Sequence, residues 1–143
     1  MKKSIQKPTF VSNSPSETKG LGSKIAKNIL KFPFSEHAVV VSLEGDLGSG
    51  KTTFAQGFAK GLGIRQKVTS PTFVIMKPYK IPGAKYKLFY HIDCYRVKKS
   101  QELLELGWKD MAANREAIIL IEWGNQAKQI LPNHTIRISF SHM

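Results

Sequence analysis

Apolar positions along the 143-residue chain change their period several times, and each period predicts an element. Leu21, Ile25, Ile29 and Leu30 recur at spacings of four and one, which suits an amphipathic helix from about Thr18 to Lys31 with Ser16 or Thr18 as its cap. Phe32-Pro33-Phe34 ends that helix. The β-branched run Ala38-Val39-Val40-Val41-Ser42-Leu43 reads as a buried strand, and Thr53 to Lys60 reads as a helix stopped by Gly61-Leu62-Gly63. Val68 to Met76 is strand-like in its second half. Lys77 to Lys85, with Pro78, Pro82 and Gly83, is expected to turn a hairpin that returns as Tyr86 to Asp93. Gln101 to Leu106 predicts a short helix that Trp108 to Met111 extends, and Ala117 to Glu122 is the most hydrophobic strand. Gln126 to Ile130 reads as a further short helix, and Thr135 to Phe140 alternates as a half-exposed strand should.

Composition narrows the class. A chain of this length buries one substantial core, so residues 15–143 are expected to form a single domain behind a polar leader, residues 1–14. No apolar run approaches the length that spans a bilayer, and the charged start Met1-Lys2-Lys3 has no apolar stretch behind it, so a soluble cytoplasmic protein is expected. Cys94 is the single cysteine and lies inside an apolar strand, where a small buried hydrophobe is the ordinary reading and a catalytic thiol the alternative. The 22 Lys and Arg against 10 Asp and Glu leave a net charge of +12, which attracts polyanions such as RNA or an acidic protein face. These charges are spread along the chain, as on a solvated basic surface.

Between the first strand and the following helix lies Leu43-Glu44-Gly45-Asp46-Leu47-Gly48-Ser49-Gly50-Lys51-Thr52-Thr53, which carries the phosphate-loop spacing G-x-x-x-x-G-K-S/T. Wrapping a triphosphate in successive backbone N–H groups requires glycines that accept φ > 0 and crowd nothing, and Gly45, Gly48 and Gly50 supply them. Lys51 would reach the β- and γ-phosphates, and Thr52 would offer its hydroxyl to Mg²⁺. The helix starting near Gly50 would direct its positive end at the phosphates. An ordinary glycine turn followed by a lysine is the alternative, and the strand and helix on either side argue against it.

Phosphate-loop enzymes also need a carboxylate at the end of a buried strand to hold Mg²⁺ directly or through water. Two positions compete for that task, Asp93 after Phe89-Tyr90-His91-Ile92 and Glu122 after Ile118-Ile119-Leu120-Ile121. Ser70-Pro71-Thr72 has the character of a switch, since a hydroxyl beside a rigid proline turn can sense a γ-phosphate. His91 is assigned to structure. Arg96 is expected to steady an acidic neighbour, with the phosphates as the alternative.

Taken together, Gly45 to Thr53, Ser70-Pro71-Thr72-Phe73, His91-Ile92-Asp93-Cys94-Tyr95-Arg96 and Ile121-Glu122-Trp123 closely resemble the bacterial ATPase family TsaE, also called YjeE. The resemblance covers about Pro15 to Pro132. Two positions depart mildly, Ser49 where alanine is common and Cys94 where an aliphatic residue is common. The resemblance implies a three-layer α/β P-loop NTPase fold with a mixed, mainly parallel central sheet. It implies ATP and Mg²⁺ as cofactors, held through Gly45, Asp46, Leu47, Gly48, Ser49, Gly50, Lys51, Thr52 and Thr53. Glu122 would be a metal-associated acid and Asp93 a Walker-B-like acid near the γ-phosphate, with the direct metal contact open between them. Ser16 and Thr18 would approach the nucleotide base, and Trp123 would lie near the nucleotide.

The function implied is slow ATP hydrolysis that resets a complex with two partner proteins. That complex forms threonylcarbamoyladenosine at position 37 of tRNAs reading codons that begin with A. A small-molecule kinase is the rival enzyme, although Arg65, Arg96, Arg115 and Arg137 form no cluster in sequence; a basic RNA-binding module is the rival without catalysis.

Overall fold

Buried β-branched runs must satisfy every backbone N–H and C=O in a sheet and bury both faces, so the strands dictate a layered molecule. The computed structural model describes residues 9–45, 50–68, 75–83 and 85–141. In chain order these form α1 (Pro15–Leu30), β1 (Val39–Gly45), α2 (Lys51–Gly61), β2 (Met76–Lys80), β3 (Leu88–Asp93), α3 (Gln101–Glu105), α4 (Trp108–Ala113), β4 (Ala117–Glu122), a 3-10 turn (Gly124–Ala127) and β5 (Ile136–Phe140). Asp46, Leu47, Gly48 and Ser49 of the loop, the switch-like Ser70-Pro71-Thr72 with Phe73, and Met1 to Pro8 lie outside the described residues.

The sheet has the order β2-β3-β4-β1-β5, with β2 antiparallel to β3 and all other neighbours parallel. This is the mixed, mainly parallel sheet expected. β4 is buried along its whole length, as a strand between parallel neighbours and under helices on both faces must be. One core joins Val41, Leu43, Phe89, Ile118 and Leu120 to Phe54 and Phe58 of α2 and Ala26 and Ile29 of α1. The other joins Val40, Ile92, Ile119 and Ile121 to Leu103 of α3, Trp108 and Met111 of α4, and Ala127. Alternate residues of β1, β3 and β4 thus face opposite helical layers.

α1 and α2 meet through glycines. A Cβ at Gly22 would strike the backbone of Phe54 and Phe58, one at Gly57 the backbone of Lys19, and one at Gly61 the backbone of Ser23. Those pairings advance together along both helices, so α1 and α2 run in the same sense and their N-termini lie at the same end. That end is the carboxyl edge of β1.

Several expected boundaries move, each for a local reason. α1 starts at Pro15, capped by the Ser14 side chain, which accepts from Glu17 N at 3.1 Å; neither Ser16 nor Thr18 caps it. Pro at the first helical position explains the early start, because its missing N–H is unpaired there anyway. β2 contains Pro78, which the hairpin reading placed in a turn; it is tolerated because β2 is an edge strand. The returning strand starts at Leu88, two residues later than expected. α4 does not extend α3, since Gly107 adopts φ 95° and redirects the chain between them. Beyond Trp123 the turn spans Gly124–Ala127, short of the helix expected over Gln126 to Ile130. Among the described residues no helix is long and apolar enough to cross a membrane.

Candidate functional site

The carboxyl edges of β1, β3 and β4 and the N-terminus of α2 come together at one end of the sheet, and Lys51, Thr52, Asp93, Glu122 and Trp123 gather there. Gly45 closes β1 at φ 127°, where a Cβ would strike the Phe140 backbone, and Gly50 caps α2 at φ 100°. Both glycines are therefore required by backbone conformation.

Lys51, the first residue of α2, is buried to 4% exposure. Its ammonium donates to the Gly45 carbonyl at 3.0 Å and sits 4.0 Å from the centre of the Trp123 ring. An ammonium over an aromatic face is attracted by the ring quadrupole. Thr52 donates its hydroxyl to Glu122 Oε1 at 2.9 Å. Glu122 is 2% exposed, and its second oxygen, Oε2, lies 2.6 Å from His91 Nε2. A carboxylate only accepts, so this bond places the imidazole proton on Nε2.

Asp93 stands directly across from Glu122 in the β3–β4 register, so both acids leave parallel neighbouring strands on the same face. Its Oδ1 accepts from Tyr95 N at 2.9 Å, which ties the carboxylate to the turn beyond β3. Tyr95 in turn places its ring 5.1 Å from that of Trp123. Trp123 has φ 60°, the one non-glycine residue with positive φ among those described, and its N–H donates to Leu43 O at 2.9 Å. Holding an aromatic residue in the left-handed region costs roughly 1–3 kcal/mol, strain of the kind found where a side chain must be aimed. The turn is enforced by Gly124, where any Cβ would collide with the Ser42 hydroxyl.

Thr18 lies against the loop, its methyl 3.6 Å from the position a Cβ on Gly50 would take, while its hydroxyl pairs with Ser12 Oγ at 2.7 Å. Ser16 is exposed one position into α1. Thr53 is half-buried in the first turn of α2. Arg96 is exposed just past Asp93. Cys94 is fully buried, and burial, reinforced by the charges of Asp93 and Glu102, pushes its thiol up to about 12. A thiol held protonated at neutral pH is no nucleophile, which removes the catalytic alternative.

One residue assigned to structure belongs with the site, because His91 bonds the acid that Thr52 also bonds. The signal was present in the alternation His91-x-Asp93, which puts both residues on one sheet face. Which acid the histidine would meet depends on β3 pairing with β4. The resulting set of an ammonium, a hydroxyl and two carboxylates at a helix N-terminus has the donors that a polyphosphate and a hard cation require.

The family model described as "Threonylcarbamoyl adenosine biosynthesis protein TsaE" matches residues 12–143. Proteins named "tRNA threonylcarbamoyladenosine biosynthesis protein TsaE" are similar along most of their length. The one from Haemophilus influenzae is 39% identical over 121 residues, covering 85% of this chain and 73% of the relative. The one from Bacillus subtilis is 41% identical over 128 residues, covering 87% and 72%. The crystal structure of Bacillus subtilis YdiB superposes with a TM-score of 0.67 at 33% identity, covering 90% of this chain and 72% of that one. With motif order, sheet topology and similarity over most of its length in agreement, the chain belongs to the TsaE family, whose members are named for the biosynthesis of threonylcarbamoyladenosine on tRNA.

Proposed function

We propose that this chain binds ATP with Mg²⁺, hydrolyses it slowly in the cytoplasm, and uses the cycle to reset two partner proteins. Those partners form threonylcarbamoyladenosine at position 37 of tRNAs reading codons that begin with A. The observation that carries the reading is the convergence of Lys51, Thr52 and Glu122, which come from a helix N-terminus and a buried strand end.

The residues fit a magnesium ion. Mg²⁺ takes hard oxygen donors, and the Thr52 hydroxyl and Glu122 carboxylate supply two oxygens within 2.9 Å of each other. Bound there, the ion would neutralise charge developing on the transferred phosphoryl group. Lys51 would leave the Gly45 carbonyl for the β- and γ-phosphates, exchanging a neutral acceptor for an anionic one, a stronger hydrogen bond. Gly45, Gly50 and the loop residues between them, with Thr53, would wrap the phosphates in N–H groups. Asp93, held by the Tyr95 N–H, would orient the attacking water. Trp123 would flank the nucleotide, and Ser16 and Thr18 would border its base.

The chemistry on tRNA belongs to a partner in this reading, since the assembled site is devoted to a nucleotide. Deleting the protein should remove threonylcarbamoyladenosine from tRNA, and a Lys51→Ala copy should fail to restore it. Mass spectrometry of tRNA nucleosides reads both results. An unchanged level in the deletion strain overturns the assignment to tRNA modification, and full restoration by Lys51→Ala overturns the role of ATP.

A further inference from the structure

Glu122 is gripped at both ends, and only one grip belongs to the phosphate-loop machinery. Oε1 accepts from Thr52 at 2.9 Å, whereas Oε2 faces His91 Nε2 at 2.6 Å. We propose that His91 is a positioning residue whose Nε2–H locks the Glu122 carboxylate so that Oε1 is presented to Thr52 and to the divalent cation. This rests on the reading of Glu122 as a metal-associated acid.

Three features separate this role from ordinary packing. His91 is 1% exposed on the sheet face toward α2, stacked on Phe89 at 6.1 Å between ring centres, in surroundings where an apolar side chain would be the natural occupant. Its Nδ1 is buried with no hydrogen-bond partner among the described residues, so among those residues the ring's hydrogen bond is the one to Glu122. A polar ring placed only for fold stability would be expected to satisfy both nitrogens. Finally, without this donor Oε2 would be a buried carboxylate oxygen with no other hydrogen-bond donor among the described residues, free to rotate away from Thr52. Groups that orient a metal-binding carboxylate from behind typically change metal affinity by roughly 10–100-fold when removed.

The two side-chain amides, which differ by one methylene, give a geometric test, because the glutamine Nε2 reaches about where the imidazole Nε2 sits, whereas the asparagine nitrogen stands nearer the Nδ1 position. Mn²⁺ is titrated into the ADP-bound full-length protein and followed by electron paramagnetic resonance, for wild type, His91→Leu, His91→Asn, His91→Gln, Glu122→Gln and the double variant His91→Leu/Glu122→Gln. His91→Leu and His91→Asn should weaken Mn²⁺ binding by about tenfold or more. His91→Gln should restore most of it, while ADP affinity measured in excess chelator stays at the wild-type value for the three His91 single variants. In the double variant the loss of His91 should add nothing to the loss from Glu122→Gln, as expected for two residues acting through one contact. Should His91→Leu not fold, the contrast between the asparagine and glutamine variants carries the test alone. Equal Mn²⁺ affinity for those two, or additive losses in the double variant, overturns the positioning role. Unchanged affinity in Glu122→Gln overturns instead the underlying metal reading.

Discussion

Lys51 is buried, and its ammonium bonds the Gly45 carbonyl and faces the Trp123 ring. Lys51 stands at the first position of α2, outside the two apolar cores that hold the sheet to its helices, so Lys51→Ala should leave the fold intact and abolish ATP binding or turnover; a thermal melt beside a nucleotide titration checks both halves. Glu122→Ala and Asp93→Ala should each lower Mg²⁺-dependent hydrolysis by more than about a hundredfold, as removal of a positioned catalytic group does. Glu122→Ala should also lower stability, because it leaves the buried His91 and Thr52 without their common acceptor. Asp93 is only half-buried and should show no comparable loss. Steady-state ATPase rates and urea unfolding of the two variants separate the acids.

Helix and strand contacts are set by where the backbone approaches closely. At Gly57 two effects compete: alanine would favour the helix by about 1 kcal/mol, but its Cβ would press on the Lys19 backbone, an overpacking cost of about 1–3 kcal/mol. Backbone cannot move aside as a side-chain tip can, so Gly57→Ala should destabilise the protein by about 1 kcal/mol, measured from urea midpoints. The starts of β1 and β5 are joined by His37 and His134, whose rings stack 3.4 Å apart. Partial burial, then the charge of His37, lowers the His134 pKa, opposed by its backbone bond to Ala38. The fold thus favours neutral His134, and its contribution is complete above the unfolded value of about 6.5. It is lost as pH falls through the lowered folded value. Unfolding midpoints should therefore drop between pH 7.5 and 5.5 by more in wild type than in His134→Gln, a difference that denaturant titration at the two pH values reads.

For the molecule as a whole, the +12 charge and the site assembled at the carboxyl edge of the sheet bear on partners. Binding energy from ATP can reset a complex only if the nucleotide-bound and nucleotide-free forms differ in affinity for it. Association with the partner complex should change by several-fold or more between ATP and no nucleotide, and calorimetry or surface binding in the two conditions tests this. Equal affinities would remove the coupling from the proposed cycle. The switch-like Ser70-Pro71-Thr72 is the segment proposed to report the nucleotide.

Read alone, the sequence determined what depends on local covalent and conformational chemistry. The spacing from Gly45 through Gly50-Lys51-Thr52 named the loop because glycine at positive φ is a local requirement, and the run from Ala117 to Glu122 named the central strand because it is apolar throughout. Acids at the ends of two such strands were legible as candidates for the same reason. Tertiary structure decided which of these groups meet. Strand register set Asp93 opposite Glu122 and brought His91 within 2.6 Å of that acid, though 31 residues separate His91 from it in sequence. The edge position of β2 made room for Pro78, and the close approach of Ser42 to Gly124 turned Trp123 back over Lys51. Periodicity shows which face a side chain occupies, but it carries no information about the partner strand. Pairing is a property of the packed sheet, so the bond between His91 and Glu122 could be read only once the strands were in place.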